Sequence, residues 1–288
     1  MAASAAIAGV DADPLANRFS KGWQARLDLE VSDRGGRSLV SRRRHRGPLL
    51  VQRPFYPEGS AVCHLYVLHP PGGLVGGDEL VLDLAVKSSA AALVTTPAAG
   101  KVYRTAAATA RQSTALSVAS GGRLEWLPQE TILFEGAALE SSLSVDLAND
   151  ARFIGWDAVC FGRAAAGESF ERGTYRQSLE IRRNGELLLA EPCAVHAGSA
   201  VRRAAFGYMG CPQAATLVAT PAGAEDEDAV AALLEGARAG VTRLGDLLVV
   251  RVLGDDGGEL RSLLHSTWSV LRPRVLGRPA CPPRIWRT

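Results

Sequence analysis

Leu80-Val-Leu-Asp-Leu-Ala-Val-Lys87 places Leu80, Leu82, Leu84 and Val86 at every second position. A period of two is the signature of a strand with one buried face. The same alternation runs through Trp23-Gln-Ala-Arg-Leu-Asp-Leu-Glu-Val31 and Ser113-Thr-Ala-Leu-Ser-Val-Ala119. In Glu180-Ile-Arg-Arg-Asn-Gly-Glu-Leu-Leu-Leu189, Asn184-Gly185 separates two such runs. Both residues tolerate positive φ, so this pair predicts a tight hairpin. By this criterion the chain holds on the order of fifteen short strands.

Two late segments change period. After Glu225-Asp-Glu-Asp228, apolar residues recur at Val230, Leu233, Leu234, Ala237, Val241 and Leu244. That spacing predicts a helix with an acidic start, Arg238 and Arg243 near its end, and Gly245 as its cap. A second helix is expected from about Glu259 to Leu271, with Leu260, Leu263, Leu264, Thr267 and Leu271 on one face and Pro273 stopping it. Strand-like segments lie before and between them, at 215–220 and 247–253. No linker divides the chain and no fixed repeat is visible. The expected organisation is a loose Ala-rich tail over 1–20 and a single mainly β domain over 21–288.

The chain has 288 residues, of which 47% are hydrophobic and 22% charged, with a formal net charge of +2. This composition excludes a disordered chain, and no apolar run is long enough for a membrane-spanning helix. A near-neutral chain makes no global field to collect nucleic acid or acidic lipid. Five scattered cysteines, at 63, 160, 193, 211 and 281, form no framework, and the start lacks a signal-peptide pattern. A cytoplasmic protein is therefore expected.

Pro70-Pro-Gly-Gly-Leu-Val-Gly-Gly-Asp78 is the densest Gly cluster, but a strand follows it rather than the helix a phosphate cradle needs. It reads as a tight turn with close backbone approach, leaving a role for Asp78 open. Gly100-Lys101 imitates a P-loop, but Thr95 and Val102 stand where Gly and Ser or Thr are required. Ser41-Arg-Arg-Arg-His-Arg46 is a basic run that no aromatic basic face extends. It suits a solvated strand end or an acidic protein partner better than nucleic acid. The pairs Cys63/His64, His64/His69 and Cys193/His196 have opposite strand parity, so none is a prebuilt chelate. Isolated carboxylates such as Glu125, Glu130, Asp157 and Glu168 are either surface groups or part of a site. An all-β hydrolase or carbohydrate-binding protein using a carboxylate pair would need two of them to converge in an open cleft.

Longer strings go further. Pro70–Asp78, Thr95-Thr-Pro-Ala-Ala-Gly-Lys-Val-Tyr-Arg104 and Leu124-Glu-Trp-Leu-Pro-Gln-Glu-Thr-Ile-Leu-Phe134 occur in this order. Gly155-Trp156-Asp157, Gly162-Arg163 and Gly167-Glu168 follow, and the chain closes on Leu271-Arg-Pro-Arg-Val-Leu-Gly-Arg-Pro-Ala-Cys-Pro-Pro-Arg-Ile-Trp286-Arg-Thr288. From Gly22 to Thr288 the sequence resembles the urease accessory protein UreD (UreH) family. It departs in having Asp157 where Glu is common and Ala-Ala-Gly before Lys101.

The resemblance implies a helix-poor, β-helix or solenoid-like fold of stacked strands and no reaction catalysed by this chain. It implies binding to the urease apoprotein and to UreF, and through UreF to the GTPase UreG. GTP then belongs to UreG, this chain holds no tightly bound cofactor, and nickel passes transiently towards urease. Neither nucleic acid nor membrane is an expected partner. A passage that attracts nickel without trapping it needs spaced, weak oxygen ligands. On that reasoning Asp78, Glu130, Asp157 and Glu168 are the expected path-lining groups. Gly72, Gly73, Gly76 and Gly77 are expected to shape a loop, and Lys101, Tyr103 and Arg104 to fix carboxylates or meet a partner. Trp126 and Trp156 are expected to pack.

Overall fold

A computed structural model describes residues 22–106 and 108–287, so the tail expected over 1–20 lies outside the described residues. β1 (Gln24–Arg34) and β2 (Arg37–Arg46) form a hairpin, followed by β3 (Leu50–Val51) and β4 (Cys63–Leu68). The chain then winds through β5 (Glu79–Val86), β6 (Ala91–Thr95), β7 (Gly100–Val102), β8 (Ala110–Val118), β9 (Arg123–Leu127), β10 (Thr131–Leu133), β11 (Ala138–Leu147) and β12 (Arg152–Phe161). β13 (Thr174–Arg183) and β14 (Glu186–His196) make the Asn184-Gly185 hairpin, with φ of 49° and 82° at the turn. The remainder is α1 (Ala200–Arg203), β15 (Gln213–Thr220), α2 (Ala224–Leu233), β16 (Ala239–Leu244), β17 (Leu247–Gly254) and α3 (Gly257–Leu276).

The strands stack as a solenoid. One sheet has the order β14-β13-β11-β8-β5-β1-β2, and its central pairs from β1 to β13 are parallel. In the other, β4, β6, β9 and β12 are parallel neighbours, and β15, β17 and β16 extend it antiparallel. Successive strands alternate between the sheets, so each coil lies one strand spacing from the last. The period-two residues explain the layering. Leu27, Leu82, Leu84, Leu116, Val145 and Ile181 of the first sheet meet Leu65, Val94, Leu124 and Phe153 of the second in one core.

A second core covers the outer face of the second sheet, where Ile154, Leu217 and Val250 pack against Leu260, Leu264, Trp268 and Leu271 of α3. Burying side chains of this size stabilises by about 1.5–3 kcal/mol each. Asp256 caps α3, accepting from the backbone N–H of Gly258 at 2.8 Å and of Glu259 at 3.0 Å.

Both expected helices need correction at their ends. The first stops at Leu233, because Gly236 turns the chain at φ +81° and residues 239–244 pair with β17 as a strand. Val241 and Leu244 therefore belong to β16, and Gly245 is a hairpin residue rather than a helix cap. The second runs through Pro273 to Leu276. Proline removes one backbone donor, but Val275 and Leu276 are buried and hold the last turn until Gly277, at φ +70°.

Glu125, in β9, points from the second sheet towards α3 and is buried with Arg272. The guanidinium donates to Glu125 through Nε at 2.9 Å and Nη2 at 3.1 Å, and to Glu58 through Nη2 at 2.6 Å. Trp268 Nε1 adds a donor to Glu125 at 2.7 Å, and Arg272 also donates to the carbonyl of Pro279. Burial raises the Glu125 carboxyl despite this fork. At Glu58 burial acts in the same direction, but hydrogen bonds from His64 and Arg272 outweigh it and hold the carboxyl low. The cluster fastens α3 and the segment after it to the sheet.

Candidate functional site

The two ends of the solenoid differ. Connections from the first sheet to the second are short, at 87–90, 119–122 and 148–151. Their backbones stack, Lys87 N–H donating to Val31 O, Ala119 to Val86 and Ala148 to Val118. Connections from the second sheet to the first are long, at 69–78, 96–109, 128–137 and 162–173. The Gly cluster, the Gly100-Lys101 segment, the Pro128–Phe134 string and Gly162–Glu168 all fall in these, so one end of the molecule gathers the motifs. A short third ladder ties the loops together. Leu74 bridges Val102, and β7, β10 and the end of β12 run parallel.

That ladder forks the second sheet. β12 pairs with β9 over Arg152–Gly155 and with β10 over Val159–Phe161. Between these stretches, Trp156, Asp157 and Ala158 face the gap where 128–130 carries the chain from β9 to β10. Trp156 Nε1 donates to Pro128 O at 2.7 Å, and Gln129 N–H to Thr96 Oγ1 at 2.9 Å, bracing the gap. A cavity of about 250 Å³ lies here, reaching from His69, Gly73 and Lys101 at the loops to Thr114 and Leu143 between the sheets, with Asp157 in its wall.

The inward rows of the first sheet explain its polarity. One row reads Leu27, Leu82, Thr114, Leu143 and Leu179 in register across neighbouring strands. The row nearer the loops reads Ala25, Leu80, Gln112, Ser141, Gln177 and Cys193. A polar stripe thus crosses the inner face at one level. Gln177 Nε2 donates to Asp157 Oδ2, joining this stripe to the fork, and Cys193 Sγ lies 3.0 Å from Tyr208 Oη. Burial pushes the Asp157 carboxyl up to about 6 against the pull of the Gln177 amide. Burial also drives His69 down, with Asp78 working the other way.

The four carboxylates expected along a path are not brought together. Of the four, Asp157 alone lines the cavity at the fork. Asp78 accepts from the backbone N–H of Trp23 at 2.7 Å and of Val75 at 2.8 Å, pinning the loop to the start of β1. Glu130 pairs with Arg261 of α3 at 2.9 Å. Glu168 pairs with Arg163, whose hydrogen bonds hold its carboxyl low. Among the described residues no three His, Cys, Asp or Glu side chains gather as a metal-ligating group, and all five cysteines are unpaired. No described helix is long and apolar enough to cross a membrane.

The glycines of this loop sit where a side chain would clash or where φ is positive. A Cβ on Gly73 would collide with the Tyr103 ring and come within 2.9 Å of Lys101 O. On Gly76 it would collide with Thr105 Oγ1 and reach Ala108 O. Gly76→Val should therefore cost about 1–3 kcal/mol through overpacking, read as a lower urea midpoint. Gly72 and Gly77 sit at positive φ, 77° and 88°. Tyr103 packs edge-on against Phe134 with ring centres 4.9 Å apart. Lys101 lines the cavity, and the backbone of Arg104 bridges Ala137. Neither Lys101 nor Arg104 makes an ion pair with a described carboxylate. Trp126 and Trp156 are buried, as expected.

Comparison with known proteins agrees with this architecture of motifs. The family model described as UreD urease accessory protein matches residues 24–287. The urease accessory protein UreD of Methylobacillus flagellatus is 42% identical over 277 residues, covering 93% of this chain and 95% of that protein. That of Pseudomonas putida strain W619 is 44% identical over 269 residues, covering 93% and 95%. That of Alkalilimnicola ehrlichii is 44% identical over 284 residues, covering 97% of each. With motif strings, solenoid and near full-length similarity in agreement, the chain belongs to the UreD urease accessory protein family.

Proposed function

We propose that this protein is a non-enzymatic urease maturation factor of the cytoplasm and that its interior passes nickel towards the urease apoprotein. The polar stripe Gln112–Ser141–Gln177, ending on Asp157, carries the reading. Half-burying amide and hydroxyl groups on the inner face of a sheet opposes folding unless they find partners. A row of them in register therefore suggests a use beyond stability. Amide and hydroxyl oxygens with one carboxylate are hard, weak ligands for a divalent first-row ion, and they leave room for its water. Thiolates would hold the ion too long, and burial raises both the Cys63 and Cys160 thiols to about 11, away from the ligating thiolate form.

The loop end is the proposed docking surface for UreF, which brings UreG and its bound GTP. Asp78, Glu130 and Glu168, each committed to a backbone or arginine partner, are proposed as anchors of the loops and Asp157 as the path residue. The motif loops around the fork would then form the mouth.

Two variants test the passage. Ser141→Phe fills the cavity, and Gln112→Leu removes part of its polar lining at similar volume. Each is co-expressed with urease and the other accessory proteins. The expected result is a loss of about tenfold or more in urease nickel content and activity with complex formation intact, consistent with removing weak ligands along the route. Normal nickel content in both variants, with the complex intact, would refute the passage.

A further inference from the structure

The basic run Ser41–Arg46 is the exposed half of β2, the terminal strand of the first sheet. The register with β1 places Arg42, Arg44 and Arg46 opposite Glu30, Asp28 and Arg26 on the outer face. Arg43 and His45 stand opposite Leu29 and Leu27, on the inward side, yet both are exposed because the strand overhangs the core. Positive side chains therefore project from both faces of one strand.

The nearby acids neutralise them only in part: Glu30 is held low first by Ser41 and Lys87, and Arg42 adds a weaker pull. Asp28 and Asp83 are both engaged by Arg26, Asp28 at 3.1 Å. Glu30 binds Lys87 at 3.3 Å and the Ser41 hydroxyl at 2.8 Å. Among the described residues, Arg42, Arg43, Arg44 and Arg46 form no ion pair, whereas Arg26, Arg111, Arg163 and Arg272 all do. Arg46 also faces Arg26 directly, a like-charge pairing that disfavours the hairpin. One charge suffices to blunt an edge against aggregation, so four arginines in five positions call for another cause.

The backbone edge is open as well. Ser38 N–H donates to Ser60 O at 3.0 Å, but no described strand pairs with β2 beyond it on that side. At the loop end the edge runs into an open groove formed by Gly22, Trp23, Gln24, Arg46, Gly47 and Pro48. Trp23 there is 61% exposed, while its backbone is pinned by Asp78. A fixed, exposed tryptophan beside arginines that form no ion pair among the described residues has the make-up of an interface anchor.

We propose that the β2 edge, with Arg42, Arg43, Arg44, Arg46 and Trp23, is a docking site for an acidic, extended segment of a protein partner. The segment adds as a further strand, and its main-chain groups use the open edge. Six residues, Ser41 to Arg46, span about 20 Å. Cations on both faces select a run of consecutive acids rather than an alternating one. A nucleic acid duplex is a poorer occupant, because it is wider than one strand and its phosphates would extend over Asp28, Glu30 and Asp83, whereas an added strand lies beyond β2, away from these acids.

The test uses the full chain and a fluorescein-labelled peptide of consecutive glutamates closed by leucine and valine. The peptide should bind, and weaken about fivefold or more between roughly 50 and 200 mM salt. Replacing Arg42, Arg43, Arg44 and Arg46 together by Ser should weaken binding about tenfold or more. Arg44→Glu alone should act in the same direction, and serves if the fourfold variant fails to fold. The same peptide N-methylated at alternate residues should lose a similar factor, since it cannot pair along the edge. Unchanged binding by a folded arginine variant, equal binding of the N-methylated peptide, or tighter binding of a duplex of equal charge would each overturn the proposal. None of these measurements involves nickel, so the outcome is independent of the passage.

Discussion

Replacing Arg272 with leucine should destabilise the protein by about 3–5 kcal/mol, more than any other single change to an ion pair among the described residues. Arg272 is fully buried, and its guanidinium is shared between Glu125 and Glu58. Removing it strands one carboxylate under α3 with only Trp268 Nε1 as a side-chain donor, and leaves Glu58 with His64. Exposed pairs such as Arg111–Glu140 should change stability by less than about 1 kcal/mol when broken. The double variant Glu125→Leu/Arg272→Leu should recover a large part of the loss, because an empty pair is cheaper than half a pair. The pH dependence has a definite sign. In Arg272→Leu, burial raises Glu125 against the Trp268 donor alone, so the carboxyl protonates more readily. The deficit should then be larger at pH 8 than at pH 5, as urea titrations at the two values will read.

Asp157→Asn should do the opposite to stability and still harm function. The Asp157 carboxyl titrates at about 6 in the fold against an ordinary 3.8. The native state thus keeps a proton that the unfolded chain has already released. Stability contributed by that proton is present below about pH 4 and lost as pH rises through 6, about 3 kcal/mol in all. Its neighbours leave this window to Asp157. Gln177 does not ionise, and burial drives the Tyr175 hydroxyl far above it. Asparagine removes the penalty while its carbonyl can still accept from Gln177. The variant should gain up to about 3 kcal/mol above pH 7 and nothing below pH 4. If Asp157 serves the proposed passage, urease matured with this variant should carry less nickel despite the firmer scaffold. A variant no more stable than the parent at pH 8 would show that the carboxylate is solvated rather than buried.

The strands were legible because a half-buried strand writes its two faces directly into the sequence. Leu80 to Val86 and the Asn184-Gly185 turn needed no tertiary information. The end of α2 was not legible, because Val241 and Leu244 keep helical phase with Val230 by coincidence, and pairing with β17 decides their state. Pro273 misled for a similar reason: burial of Val275 and Leu276 outweighs one missing donor. The loop-shaping role of Gly73 and Gly76 could be read locally. The fate of the carboxylates could not, since an aspartate on a strand looks the same whether it faces a cavity or an arginine.

The polar stripe was missed altogether, although a trace of it exists in the sequence. Gln112, Ser141 and Gln177 each follow a buried residue by two positions, after Ala110, Leu139 and Tyr175. Only the register of the sheet shows that the three stand side by side. The Glu58–Arg272–Glu125 cluster was invisible for the plainer reason that its members lie far apart along the chain.

Because Gln112, Ser141 and Gln177 sit on adjacent strands, their spacing is set by the backbone at about 4.8 Å per rung. A first-row divalent ion sits about 2.1 Å from an oxygen that ligates it. In the proposed passage one rung would therefore let go at nearly the distance where the next takes hold, and movement along the row would be a series of equal hops. The length of such a route is counted in coils: inserting or deleting one would lengthen or shorten it by a single rung, and leave the step size untouched.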